Sequence, residues 1–244
     1  MDSKLVLVTG STRGLGLAIA KKLSESENYK IVCTGRKITS ELTKLMKEYP
    51  ETVFFKPYDF EDIKGIREFV KSINIAHGKI YGLVNNAAVG SDGLLLTQHN
   101  SDIHRVLTVN IEAPIILTKY VTRSMMLGRL GGRVVNIGSI IGSTGFSGLA
   151  AYGATKAAME GFTRSFAREV GKLDITVNTV APGYMCTDMT SGLQGEKLGS
   201  IVRRSPLGRL ATTADVAHTV QFLMSADACS ITGAVITVDA GSTA

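Results

Sequence analysis

Apolar residues along this chain fall into two kinds of run. Short runs apolar on both faces read as strands: Lys4–Thr9, Lys30–Thr34, Thr52–Lys56, Ile80–Val84, Arg133–Gly138, Ile175–Val180 and Ala234–Val238. Longer segments with a 3.6-residue period read as helices: Leu15–Ser24, Glu41–Tyr49, Asp62–Ile75, Ile103–Met126, Ala151–Val170 and Val216–Met224. Strands without an exposed polar face belong to a parallel sheet covered by helices on both sides. Seven strands joined by six helices predict a doubly wound α/β fold. No linker or internal repeat divides it, so residues 1–244 are expected to form one domain. The weakly patterned stretch Tyr184–Pro206, with Gly192, Gly195 and Gly199 and a possible short helix, is a candidate substrate lid.

Composition narrows the class. Apolar residues at 44% and charged residues at 20% suit an ordered globular chain rather than a disordered one. No apolar run reaches the ~18 residues of a membrane span. Met1-Asp2-Ser3-Lys4 leads straight into the first strand without the layout of a secretory signal, so a cytoplasmic protein is expected. The net charge of +6 is scattered, without the Lys/Arg block or aromatic interleaving of a nucleic-acid surface. It leaves room for an acidic protein partner or an anionic cofactor. Cys33, Cys186 and Cys229 are far apart and odd in number, which predicts neither a metal site nor a disulfide framework. Glycine, at 26 of 244 residues, is in excess of the usual ~7% and calls for a structural use.

Part of that use lies in Thr9-Gly10-Ser11-Thr12-Arg13-Gly14-Leu15-Gly16, between the first strand and the first helix. Gly-x3-Gly-x-Gly is a relative of the dinucleotide fingerprint with altered spacing. The backbone there must turn tightly, approach a pyrophosphate without a Cβ in the way, and offer helix N–H groups to it. This is the Rossmann-type arrangement. A chain that binds NAD carries a carboxylate after the second strand for the ribose 2′-hydroxyl. Here that region reads Cys33-Thr34-Gly35-Arg36-Lys37. Arg36 with Arg13 suits a 2′-phosphate, favouring NADP(H), unless Arg36 is simply a solvated loop residue.

Tyr152 and Lys156 are four residues apart at the start of a helix and so share one face. A phenol can protonate a carbonyl oxygen, but its ordinary pKa is about 10. A cation about 4 Å away, at an effective dielectric of ~20, would stabilise the phenolate by ~4 kcal/mol, enough to bring the phenol near neutrality. Ser139 follows the fifth strand at the carboxyl end of the sheet, where such folds place ligands, and can either orient a substrate oxygen or cap a turn.

Taken together these residues resemble the short-chain dehydrogenase/reductase family over essentially the whole chain. The shared features are Thr9 to Gly16, Asp59, Asn85-Asn86-Ala87, Asn110, Ser139, Tyr152-x3-Lys156 and Pro182-Gly183-x3-Thr187, in order. Within the family the chain is most similar to the β-ketoacyl-(acyl-carrier-protein) reductases, through Phe166–Val170, Ile175–Asn178, Ala181–Gly183 and Thr187–Met189. The resemblance implies Tyr152 as acid/base, Lys156 as its pKa partner and a ligand of the nicotinamide ribose, and Ser139 as the group that positions the carbonyl. It implies that Asn110 interrupts the long helix and holds a water that links Lys156 to solvent. It also implies that Asp59 meets the adenine, Asn86 and Ala87 the adenosine-side ribose, and Met185 and Thr187 the carboxamide. Gly10, Ser11, Thr12, Arg13, Gly14, Leu15, Gly16, Arg36, Phe60, Ala88, Pro182 and Gly183 complete the expected cofactor site. Asn110 or Asp59 could instead serve only as helix caps. Ala88 and Val238-Asp239-Ala240-Gly241 depart from the family pattern, away from the reactive groups.

The expected activity is NADPH-dependent reduction of a 3-oxoacyl thioester, free or on an acyl carrier protein, with Arg129, Arg133 and Lys172 as a conjectural docking face. The alternative is reduction or oxidation of another small ketone or alcohol, such as a sugar, polyol, steroid or secondary metabolite. An idle cofactor-binding protein is disfavoured by the intact Ser139, Tyr152, Lys156 and Asn110. The resemblance also implies a homotetramer, with Ile103–Met126 and Ala151–Val170 packing between subunits.

Overall fold

In the computed structural model, residues 3–90, 92–129, 131–185 and 196–244 are described. Seven strands form one parallel sheet in the order β3-β2-β1-β4-β5-β6-β7. They are β1 (Lys4–Val8), β2 (Tyr29–Gly35), β3 (Val53–Pro57), β4 (Ile80–Asn85), β5 (Gly132–Ile137), β6 (Ile175–Pro182) and β7 (Val235–Val238). Alternate side chains of each strand serve opposite layers. Val6 and Val8 pack with Ile19 and Leu23 of α1 (Gly14–Ser24), Leu42 of α2 (Ser40–Glu48) and Val220 of α9 (Thr213–Met224). Leu5 and Leu7 pack on the other face with Phe69 of α3 (Ile66–His77), Leu117 of α5 (Ala113–Gly128) and Val170 of α7 (Ala150–Val170). Burial on both faces is what made the strands readable as continuous apolar runs.

The predicted helix Ile103–Met126 is divided. α4 (Asn100–Leu107) runs into one wide π-helical turn, Thr108–Glu112, before α5 begins. The reason is Pro114, which has no N–H to give to the carbonyl of Asn110 four residues back. The described chain also has a short α6 (Ile141–Thr144) and α8 (Glu196–Arg204) beyond the six predicted helices. α8 answers to the possible helix within the expected lid, while residues 186–195 of that stretch lie outside the described residues. Strand order reverses between β1 and β4, so their carboxyl ends diverge into a crevice. No described helix is long and apolar enough to cross a membrane.

Candidate active site

A cleft of about 690 Å³ opens at the carboxyl ends of the strands. Its floor is the loop between β1 and α1. The buried Thr9 hydroxyl accepts from the Asn86 and Ala87 N–H groups, each at 2.9 Å. The Asn86 amide donates to the carbonyls of Thr9 at 2.8 Å and Gly10 at 3.1 Å. This clamp leaves no space for side chains: a Cβ on Gly16 would lie 2.3 Å from the Gly10 carbonyl oxygen. Gly14, at φ +56°, instead borders open space, with nothing within 4 Å of where a Cβ would stand. It begins α1, whose first turn has no acidic residue and whose N-cap, Arg13, makes no side-chain cap bond. A helix N-terminus opening on a cradle without side chains fits a pyrophosphate.

Thr12, Arg13, Leu15, Arg36, Asp59, Phe60, Ala87, Ala88, Pro182, Gly183 and Met185 line this same cleft. Arg36 is exposed and has no ion-pair partner among the described residues. The Asp59 carboxylate accepts the Glu61 N–H at 3.1 Å, which shapes its turn, while α3 begins only at Ile66. Glu61 pairs with Arg105 at 2.7 Å across this end of the cleft. Ser11 corrects the expectation for it. Its hydroxyl donates to the Val8 carbonyl at 2.7 Å and accepts the Thr34 N–H, and its own N–H is given to Thr34. With every donor committed, Ser11 ties β1 to β2 behind the cleft instead of meeting a ligand. Thr187 lies outside the described residues.

Ser139, Tyr152 and Lys156 line the other end. Ser139 follows β5, and the 3.2 Å bond from the Ile141 N–H holds its hydroxyl oxygen at the start of α6. The first two turns of α7 carry Tyr152 and Lys156. The Lys156 ammonium lies 5.5 Å from the centre of the Tyr152 ring and donates to the Ile137 carbonyl at 2.9 Å. Burial lowers Lys156 to about 8. The simple expectation of a phenol pulled toward neutrality by this cation is corrected here. Burial raises Tyr152, the Ser139 hydrogen bond opposes the rise, and the Asp92 carboxylate adds to it. Burial, the largest of these influences, keeps the proton on the phenol.

Asn110 is buried in the wide turn, outside the cleft lining. Its amide pairs with both backbone groups of Val89 at 2.9 Å and reaches Thr155 at 3.3 Å. The side chain therefore holds the loop after β4 against α7. The sequence reading missed a buried polar chain beneath α7. Asn85 donates to Thr118 and Asn136, Asn136 donates to Thr163, and Thr163 bonds Thr179, all within 2.7–2.9 Å. The available signal was an asparagine in each of two adjacent, largely apolar strands, β4 and β5. Arg133 is a further correction. It is only 8% exposed, with its guanidinium given to the Gly132 and Ser225 carbonyls, so it offers nothing to a docking face. Arg129 and Lys172 are exposed but stand where β5 and β6 begin, at the amino end of the sheet, opposite the cleft.

The chain is similar to known proteins along nearly its whole length. Residues 10–243 match the family described as Enoyl-(Acyl carrier protein) reductase. The chain is 39% identical over 242 residues to the 3-oxoacyl-(acyl-carrier-protein) reductase FabG of Haemophilus influenzae, covering 99% of this chain and 98% of that one. It is 38% identical to carbonyl reductase family member 4 of Xenopus tropicalis, over 98% of each chain. Among solved structures it superposes on a gluconate 5-dehydrogenase from Burkholderia cenocepacia, in complex with NADP and tartrate, with a TM-score of 0.93 at 26% identity, covering 100% of this chain and 96% of that one.

Proposed function

We propose, from the premise that this chain belongs to the short-chain dehydrogenase/reductase family, that it is an NADPH-dependent reductase of 3-oxoacyl thioesters. The observation that carries the reading is one continuous cleft with a glycine cradle at one end and Ser139, Tyr152 and Lys156 at the other. The curated relatives named 3-oxoacyl reductases, matched over nearly their whole length, support the substrate class. The family description names an enoyl reductase and the structural neighbour a sugar-acid dehydrogenase, so both chemistries belong in the test.

NADPH, when bound, supplies the hydride that reduces the substrate carbon. The cradle at Gly10, Gly14 and Gly16 would hold its pyrophosphate, and Arg13 with Arg36 its 2′-phosphate. Asn86, tied into the phosphate loop, would position that loop more than bind the ribose. Ser139 donates a hydrogen bond that orients the substrate oxygen. Tyr152, held protonated by burial, gives its proton to the same oxygen. The phenolate left behind is stabilised by the Lys156 ammonium above its ring, and Lys156, near 8, can return a proton.

The acyl group would arrive as a small-molecule thioester or on a carrier protein. A cytoplasmic homotetramer is part of the proposal, and exposed Leu107, Met126 and Leu127 on α4 and α5 favour helix packing between subunits. The test follows NADPH consumption with acetoacetyl thioesters, free and on acyl carrier protein, beside a 2-enoyl thioester, a keto sugar acid and simple ketones. Preference for the 3-oxoacyl thioesters is expected. Faster turnover of any other class would overturn the reading.

A further inference from the structure

The mechanism above leaves the Tyr184 phenol of the cleft unused. Tyr184 lines it, two residues beyond the end of β6. β6 runs beside β5, and the Ile140 N–H donates to the Pro182 carbonyl at 3.0 Å. The residue after Ser139 is thereby tied to the residue two before Tyr184, which keeps the Tyr184 loop beside the Ser139 loop in the same cleft. Its ring meets that of Phe146 edge-on, with centroids 6.2 Å apart. Ile140, Ile141, Phe146 and Leu149 line the same cleft, so the surroundings are apolar. Within them the Tyr184 hydroxyl is shielded from solvent and has no hydrogen-bond partner among the described residues. Buried hydroxyls nearly always have a partner, and one without calls for an explanation. Burial also raises this phenol, so it is a donor at neutral pH.

We propose that Tyr184 donates a hydrogen bond to the C1 carbonyl oxygen of a 3-oxoacyl thioester while Ser139 and Tyr152 engage the C3 oxygen. The inference rests on the functional reading above and deepens it. A 3-oxoacyl thioester carries two acceptors separated by a single methylene carbon, and donors after two adjacent strands can take one each. A two-point hold fixes which face of C3 is presented, whereas a hold at C3 alone leaves rotation about that carbon free. A ketone without the C1 oxygen leaves the Tyr184 hydroxyl without a partner, and such a mismatch is what lets a polar subsite discriminate. Tyr184 is therefore a specificity-determining residue, separate from the acid and its partner.

The experiment uses two substrates that differ only at C1: the acetoacetyl thioester of N-acetylcysteamine and the 3-oxobutyl thioether of the same thiol. Tyr184→Phe keeps the ring against Phe146 and removes only the donor. Its kcat/KM on the thioester is expected to fall about tenfold, chiefly through KM, the order of one lost hydrogen bond. On the thioether it is expected to stay within about twofold of wild type. NADPH affinity, read by fluorescence, is expected to be unchanged and reports that the variant is folded. Equal losses on both substrates, or none on the thioester, overturn the role of Tyr184 and leave the functional reading standing. A wild type that reduces other ketones but not the thioester overturns the functional reading, and the subsite with it.

Discussion

Replacing Lys156 by methionine removes an ammonium that the fold has taken out of water. Its pKa falls from the ordinary 10.5 to about 8, with burial as the cause. At about 1.4 kcal/mol per pH unit, the native state spends about 3 kcal/mol on keeping that charge while the pH is below 8. Below pH 8 both the native and the unfolded chain carry the proton, and the native state bears the full penalty. Between pH 8 and 10.5 the unfolded chain still holds the proton and the native chain has lost it. The unfolded state then binds more protons, so stability rises with pH. Above 10.5 both are neutral and the gain is complete. Wild type should thus gain about 3 kcal/mol on Lys156→Met between pH 8 and 10.5, or roughly 6–12 °C for a chain of this size. At neutral pH the methionine variant escapes the penalty but leaves the Ile137 carbonyl without its 2.9 Å donor, a loss of about 1–3 kcal/mol. It is therefore expected to be as stable as wild type or slightly more so, while inactive. Urea unfolding of both cofactor-free proteins across this pH range is the assay, and titrating groups remote from Lys156 cancel in the difference. Two stability curves that run parallel from pH 7 to 10.5 would refute the reasoning.

Arg36→Asp should reverse a preference for NADPH over NADH of at least about tenfold in kcat/KM, since charge-assisted bonds to a 2′-phosphate exceed the ~1.4 kcal/mol this requires; equal use of both cofactors by wild type would contradict it. Tyr152→Phe should lose about 10²–10⁴ in kcat with NADPH affinity intact, whereas Lys156→Ala should weaken NADPH binding as well. A phenylalanine variant keeping more than about a tenth of wild-type kcat would remove the phenol from the acid role. Light scattering at micromolar concentration should report a tetramer, and a 26.0 kDa particle would dismiss that assembly.

Strand and helix positions were legible because each is written in a local period: two-sided apolar runs for β1 to β6, a 3.6-residue repeat for α1 and α7. The glycine cradle was legible too, since only glycine tolerates a Gly16 whose Cβ would sit 2.3 Å from a carbonyl oxygen. Even the break in the long helix had a local sign in Pro114. The direction and partners of polar side chains were not written locally. Ser11 belongs to the same loop as Gly10 and Thr12, yet pairing with Thr34 of β2 takes it out of the site. Asn110 meets Val89 rather than the cleft because the wide turn before Pro114 sets its side chain against the loop after β4. Arg133 looked like surface charge, and its burial depends on carbonyls at Gly132 and Ser225, the latter distant in sequence.

The clearest division is at Tyr152 and Lys156. Their spacing of four places them on one helical face in any helix, which the amino-acid order alone determines. Their protonation is decided elsewhere, by the layers that exclude water from both groups. Periodicity is a property of neighbours along the chain. Desolvation and hydrogen-bond pairing belong to neighbours in space, and those exist only once the sheet has brought β4, β5 and β6 side by side.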